Sequence, residues 1–519
     1  MGWYRHARLG CAGIATTVVA VIFALACAPA RASESLYWNW AALNADGVTS
    51  SGIAAASLGG SGGQDLSLDN APIDHPLGVV VDSATGTLYW ANFGSSRNYC
   101  EGPLVGGQTI SFASPTGGGT LNTSGATVSG PDGLAIDPVA GRLYWANDHA
   151  NSISYTNLDG SGGHDLNTAG ATLNCPAGLA VDPQAGRVYW TNLDGDSISY
   201  ANLDGSGGHD LQIQGATVDG PWGIAIDQAA GRIYWANFDA NTIDYANLDG
   251  SGAGVLNTYG TSVLGPWGIA LDPAAGKVYW GNDLGHSLSY ANLDGSGGGD
   301  VPASGATTDH PKAPMLVQSP SAVAAPQVSG GSTAGSRLSC SPGGWAADLP
   351  ESFLFRAPSW FTYAWTENGR PIAGSSSSIV AASPGRYACQ VTATNFAGSA
   401  TQSSTPLDVH PGAGASLSVA SVRVSRSGVI AVWANANGAG SLTGRVTFRH
   451  TSRIVPYGAA STSGAGALRL TIKPSPRARR LLSSTRRAML TLSLVFTSVD
   501  GSVAQATTPV WFTRRAAGR

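Results

Sequence analysis

Short apolar runs of strand length alternate with Gly, Asp and Asn along most of this chain, and in its first half they recur as a unit. One copy reads Gly223-Ile-Ala-Ile-Asp227, then Gly231-Arg-Ile-Tyr-Trp-Ala-Asn237, then Thr242-Ile-Asp-Tyr-Ala-Asn-Leu248, then Val255-Leu256. The spacing predicts four short β-strands per unit, separated by turn residues. The link between strands 1 and 2 is Asp-x-x-Ala-Gly-Arg/Lys, seen at 137–142, 182–187, 227–232 and 272–277. The link between strands 3 and 4 is Asn-Leu-Asp-Gly-Ser-Gly, at 157–162, 202–207, 247–252 and 292–297. Asp-Gly marks a hairpin because the turn needs positive φ, which glycine adopts without strain. Strand 2 carries Ile233 and Trp235 on one side and Tyr234 on the other. Bulky residues on both faces require cover on both faces, as when each small sheet is sandwiched between neighbours.

A Tyr-Trp dipeptide sits in strand 2 of every copy, with tryptophans at 38, 90, 145, 190, 235 and 280, and from Trp145 onward each step is 45 residues. A fixed period in that range, built of strands, predicts one small sheet copied around a circle: a six-bladed β-propeller. The circle also predicts its own closure. The first copy begins at Leu36-Tyr37-Trp38, which is strand 2, so its strand 1 is missing. Asp309-His310-Pro311 echoes Asp74-His75-Pro76 and leads into Met315-Leu316-Val317, which reads as the missing strand. Pairing the two ends in this way removes exposed sheet edges.

With 519 residues, 43% of them apolar, the chain is long enough for several cores. Charge is sparse at 12% and the net value is −4, so nothing global points to nucleic acid. The 70 glycines are spread through turns, which fits a turn-rich all-β protein. Three lysines against 25 arginines point to a GC-rich bacterial genome. Residues 1–32 read as a secretory signal: Arg5 and Arg8, the apolar stretch Ile14–Ala26, then Ala30-Arg31-Ala32 before Ser33. A lipoprotein with Cys27 as the lipidated residue is the alternative. No other segment reads as a membrane span. Beyond the signal four cysteines remain, Cys100, Cys175, Cys340 and Cys389. An even number in an exported chain favours disulfides over metal sites, and no CxxC spacing is present.

Units such as Gly178-Leu-Ala-Val-Asp182, Val188-Tyr-Trp-Thr-Asn192 and Ala201-Asn-Leu-Asp-Gly205 resemble the class B (YWTD) repeats of the low-density lipoprotein receptor family. The resemblance spans roughly residues 36–318 and implies a six-bladed propeller that binds protein or peptide on its variable face. The chain departs from it at the fourth position, where Asn92, Asn147, Asn192, Asn237 and Asn282 replace the family's Asp, and in the first copy, which reads Asn39-Trp40.

From about Ser321 the repeat stops. Cys340, Trp365 and Cys389, with Tyr387 two before the second cysteine, resemble an immunoglobulin-like sandwich of bacterial type. That resemblance implies a bridge between Cys340 and Cys389, with Trp365 packed on it and Tyr387 at the corner. From about Ala415 strand-like alternation resumes, as in Leu417–Val424 and Leu490–Phe496, and predicts a second small sandwich. Arg477, Arg479, Arg480, Arg486 and Arg487 form its charge cluster, read as a solvated short helix before a strand, with an anionic cell-wall polymer as the alternative. The expected organisation is all-β: signal 1–32, propeller 33–320, Ig-like sandwich 321–411 and C-terminal sandwich 412–519.

In such blades the 2–3 and 4–1 loops share one face, and there the copies differ. The 4–1 loops bring Leu77, Asp132, Ala177, Trp222 and Trp267 to one relative position. The candidate ligand-binding residues are Trp222 and Trp267, with Phe238, Asp239, Asp148 and Asp194 around them. The competing reading is that both tryptophans plug the channel mouth as packing. Cys100 lies in the longest 2–3 loop and Cys175 in a 4–1 loop of the same face; a bridge would pin the long loop over the ring if the two Cα atoms come within reach. A metal-dependent hydrolase, lactonase or lyase would need His, Glu, Asp or Asn gathered at the channel mouth. His75, His149, His286 and His310 fall on that face, but only Glu34 and Glu101 precede the linker, and no Ser-His-Asp spacing stands out. The expectation is an exported, non-catalytic surface or extracellular protein that recognises a protein, peptide or cell-wall glycan, without metal or cofactor. A structural envelope protein with no specific ligand is the third reading.

Overall fold

The computed structural model describes residues 34–513 apart from 45–46, 60–61, 69–70, 95–98, 396, 412–413, 451–452 and 500–501. The signal segment and Cys27 lie outside the described residues. Among those described, no helix is long and apolar enough to cross a membrane.

Five antiparallel sheets of four strands and a sixth whose four antiparallel strands gain a fifth follow one another around a channel, so the first half of the chain is a β-propeller. In the fifth blade the strands are Pro221–Asp227, Arg232–Asn237, Thr242–Asn247 and Gly254–Val255, innermost first. The inner strand is buried at every position, as expected where a strand faces the channel and is flanked by its neighbours. Inner strands crowd at the axis. A Cβ added at Gly223 would lie 2.4 Å from the Gly268 Cα, and one at Gly178 would lie 2.1 Å from the Trp222 carbonyl oxygen. Only glycine permits that approach. The ring closes as the residue pattern predicts: Met315–Gln318 pairs antiparallel with Glu34–Tyr37 and becomes the inner strand of the first blade.

Each Tyr-Trp tryptophan is fully buried and donates its indole N–H to a carbonyl of the preceding 4–1 loop. Examples are Trp145 to Thr127 at 2.8 Å and Trp190 to Thr172 at 2.9 Å. The asparagine two residues later works in both directions. The Asn192 Oδ1 accepts from the Asn174 N–H at 3.0 Å, while its amide donates to the Ser197 and Ser199 hydroxyls. A carboxylate has no donor for those hydroxyls, which is a physical reason for Asn here.

Neighbouring blades are joined by a second recurring contact. A side chain in each 2–3 loop, or in the first blade within the strand Gly47–Ser57, accepts the backbone N–H of a residue in the next 4–1 loop. The pairs are Ser51 with His75, Gln108 with Gly130, Asn151 with Cys175, Asp196 with Gly220, Asn241 with Gly265 and His286 with His310. All six residues that donate these N–H groups adopt positive φ.

The second domain has a three-stranded sheet (Val328–Gly330, Arg337–Cys340, Ser378–Val380) facing a larger one built on Trp360–Glu367 and Gly385–Asn395. Cys340 and Cys389 are disulfide-bonded across it, with Cα atoms 6.2 Å apart. Trp365 is buried in register with Cys389, and the Tyr387 hydroxyl donates to the Ser383 carbonyl at 2.9 Å.

One segment of this domain leaves it. Pro350–Ser352 forms a 3₁₀ turn under the channel, and Leu354–Phe355 pairs in parallel with the closing strand, adding a fifth strand to the first blade. Phe353, at φ 55°, packs against the cores of four sheet groups at the channel axis. A boundary at residue 320 therefore does not separate what the fold joins.

The C-terminal domain is one five-stranded sheet that folds over a single core, sandwich-fashion. Its central strand Ile430–His450 pairs along one edge with Arg453–Ile472, and along the other first with Leu417–Val424 and then with Arg487–Ser498. The short helix read from the arginine cluster is Pro476–Ser483, capped by the Ser475 hydroxyl.

Candidate functional site

Six residues, one from each inner strand or its approach, ring the channel mouth. Leu77, Asp132, Ala177, Trp222 and Trp267 take equivalent places, and Lys312 is the sixth, since Pro311-Lys312 repeats Pro76-Leu77. The two indoles stack with ring centroids 3.5 Å apart and are 4% and 3% exposed. Tyr99 closes over them edge-on, 4.8 Å from Trp222 and 5.2 Å from Trp267. Beneath lies a cavity of about 30 Å³ between these rings and Phe353, room for a water or two and no ligand.

Tyr99 is held there by the disulfide. Cys100 and Cys175 are bonded, with Cα atoms 5.1 Å apart, which anchors the long 2–3 loop of the second blade to the fourth. Asp148, buried, accepts the Cys100 N–H at 3.4 Å and pairs with His149 Nδ1 at 2.6 Å. Burial pushes its carboxyl up against those contacts.

Most polar groups at the mouth are buried and paired with one another, although the Nε2 atoms of His75 and His149 are buried without a hydrogen-bond partner. Lys312 Nζ lies 2.9 Å from Asp283 Oδ1 and 3.5 Å from the Trp267 ring centroid. Burial alone would raise the Asp283 pKa, but Lys312 and His310 outweigh it and hold it at about 2. Asp132 accepts the Trp222 indole N–H at 3.1 Å. Desolvation, then Asp148, lifts its pKa to about 8, so it is mainly protonated at neutral pH. His75 is driven down to about 3, by burial first and Lys312 second.

The open space on this face lies beside the seal. A pocket of about 470 Å³ is lined by Tyr99, Cys100, Glu101, Leu193, Asp194, Trp222, Phe238 and Asp239. Asp194, Asp239 and Glu101 are exposed, and Phe238 is half-buried. Of the six residues singled out from sequence, the structure brings Trp222, Phe238, Asp194 and Asp239 to this pocket. It sets Trp267 beneath Tyr99 and Asp148 under the loop as its anchor. Tyr99, Glu101 and Lys312 were missed. The length of the 93–108 loop was the signal for the first two, and the Asp-His-Pro echo for the third. Among the described residues no cation lines the pocket, so its carboxylates suit a positively charged group.

For metal binding, His286, Asp309 and His310 bring one donor atom each within 4.8 Å of one another. His286 Nδ1 already accepts the His310 N–H, the position Asn or Asp fills at three other blade junctions. Asp194 is grouped with Cys100 and Cys175, whose sulfurs are engaged in the disulfide.

No family model matches the chain, and no curated protein matches it. Among solved structures, the chain is similar to one from a nidogen/laminin complex at 17% identity, covering 55% of this chain and 98% of that one with a TM-score of 0.43. It is similar to a candidate 6-phosphogluconolactonase from Bacteroides uniformis ATCC 8492 at 15% identity (52% and 81% covered, TM-score 0.34). An auxiliary nutrient binding protein from Bacteroides ovatus ATCC 8483 is similar at 12% identity (50% and 76% covered, TM-score 0.37). At this level none of them carries an argument about a ligand.

Proposed function

We propose that this is an exported, non-catalytic recognition protein whose YWTD-type propeller binds a protein or peptide through a basic side chain. The observation that carries this reading is the open pocket of about 470 Å³ lined by Glu101, Asp194 and Asp239 together with Tyr99 and Phe238. A lysine or arginine entering it meets opposite charge and aromatic surface together. Two disulfides support an oxidising destination, in keeping with the secretory start. The second domain, with its bridge, buried tryptophan and tyrosine corner, is read as immunoglobulin-like.

The test is binding of the chain from Ser33 to arrayed peptides differing only in Lys/Arg content. Asp194→Asn/Asp239→Asn should weaken basic peptides about tenfold, with neutral peptides unchanged. Equal loss for both classes, or no preference for basic peptides, would refute it.

A hydrolase is the second reading. It rests on the perturbed pair of Asp132 and Lys312, a pattern common at catalytic sites. Both groups are buried at the sealed mouth, and Asp132 lines the 30 Å³ of space there. Lactone or ester turnover abolished by Asp132→Asn would favour it.

A further inference from the structure

The net charge of −4 hides a division. Residues 33–320 carry 27 carboxylates against six Lys and Arg, whereas residues 412–519 carry fifteen Lys and Arg against one carboxylate, Asp500. In the propeller the repeat accounts for many of the charges. Asp137 and Asp182 accept the amides of their own turns. Arg142, Arg187, Arg232 and Lys277 lie over Tyr155, Tyr200, Tyr245 and Tyr290. No repeat accounts for the fifteen cations of the last domain.

Their placement is polar. The chain enters this domain at one end of the sheet, where Leu417 pairs with Ala436, Gly440 with Gly464 and Ser498, and Ala415 N–H donates to the Ser502 hydroxyl. Among the described residues that end has no basic residue. At the opposite end are the 425–429 turn, the helix Pro476–Ser483 and the start of the strand Arg487–Ser498. Arg426, Lys473, Arg477, Arg480, Arg486 and Arg487 are all exposed there. Aromatic surface accompanies them: the Arg487 guanidinium lies 4.2 Å from the Trp511 ring centroid, and Trp511 is 51% exposed. On the adjoining sheet surface Arg423 and Arg469 flank Trp433 at 5.5 and 5.3 Å.

We propose that this pole, opposite the end where the chain enters the domain, docks the protein on a linear anionic glycopolymer outside the cell. Spread cations suit a chain of phosphates or carboxylates better than one small anion, and the forked guanidinium matches either group. The half-exposed Trp511 adds apolar aromatic surface beside those cations. The disulfides place the protein where such polymers, rather than intracellular nucleic acid, are met.

The experiment measures binding of the chain from Ser33 to lipoteichoic acid, to hyaluronate and to a mixed-sequence DNA duplex over a range of NaCl concentrations. A glycopolymer should bind, with log K falling linearly against log salt. Arg477→Gln/Arg480→Gln/Arg486→Gln/Arg487→Gln should weaken it at least tenfold. The same variant should flatten the salt slope by about 3, since each anionic group neutralised by a cation adds roughly 0.7 to 0.9 to it. Arg337→Gln/Arg370→Gln, exposed cations of the middle domain, should leave binding unchanged. So should Asp194→Asn/Asp239→Asn, which separates this site from the propeller pocket. Whether lipoteichoic acid or hyaluronate binds tighter identifies phosphate or carboxylate as the recognised group. Absence of glycopolymer binding, equal loss in the middle-domain control, or tighter binding to DNA would overturn the proposal. So would salt-sensitive self-association removed by the fourfold variant, since that would seat the acidic propeller of a second copy on the pole.

Discussion

The two mouths of the propeller channel are closed by different means. On the variable face the seal is Tyr99, carried by the ring's own long loop and fixed by Cys100–Cys175. On the opposite face it is Phe353, carried by the next domain and fixed by a parallel strand, Leu354–Phe355, beside the closing strand. The first closure is local and keyed by a covalent bond. The second joins two domains, so the ring and the sandwich are expected to share stability. A repeat whose six copies leave a hole at the axis can fill it from within or from outside, and this chain does both.

The largest test of that contrast is Phe355→Ala. Phe355 is 1% exposed within the second-blade core, so truncation should cost about 3–5 kcal/mol. It should lower the unfolding midpoints of propeller and sandwich together in calorimetry. A fall confined to one transition would mean the two domains are not coupled by the inserted strand. Next is Cys100→Ser/Cys175→Ser, which frees a loop of 75 residues and should cost about 2–4 kcal/mol. Here the cost should fall on the propeller transition, with loss of selective binding to basic peptides as Tyr99 leaves its place.

The inserted turn also sets a pH dependence. Glu351 is buried beside Asp182, Asp227 and Asp348, and desolvation followed by those carboxylates lifts its pKa to about 7 from the usual 4.5. A raised acid pKa means the folded state binds the extra proton. Stability should therefore be highest below about pH 4.5 and fall by roughly 3 kcal/mol between there and pH 7 on this account. Glu351→Gln should remove that decline in denaturant titrations; an unchanged slope would assign it to other groups. Smallest is His286→Asn. Asn241 makes the same inter-blade hydrogen bond one blade earlier, so stability should stay within about 0.5 kcal/mol. A larger loss would give His286 a role beyond that contact.

Much of the propeller is legible in the sequence because its determinants are local. Asp-Gly turns, strand 2 with two apolar faces and the Asp-His-Pro echo each concern a few adjacent residues, and the 45-residue period repeats them until they are unmistakable. The bridge between Cys100 and Cys175 stays open at that level because it spans two blades, and only their spacing around the ring decides it. The tryptophans at the mouth read equally well as anchors or as packing. Choosing between them requires the position of Tyr99, which lies in the one 2–3 loop that departs from the repeat. The turn at 350–355 gives no signal, since the apolar Phe353-Leu354-Phe355 run looks the same whether it packs in its own domain or in another.

The order of turns and strands, the number of blades and the way the circle closes all follow from the residues in chain order, through glycine's access to positive φ and the alternation of side chains along a strand. Which residues meet at the axis follows only from the closed ring: Tyr99 over Trp222, Lys312 with Asp283, Phe353 beneath them, and the open acidic pocket beside the seal. Those contacts join residues far apart in the chain, and their energies arise only once the ring has brought them together out of water.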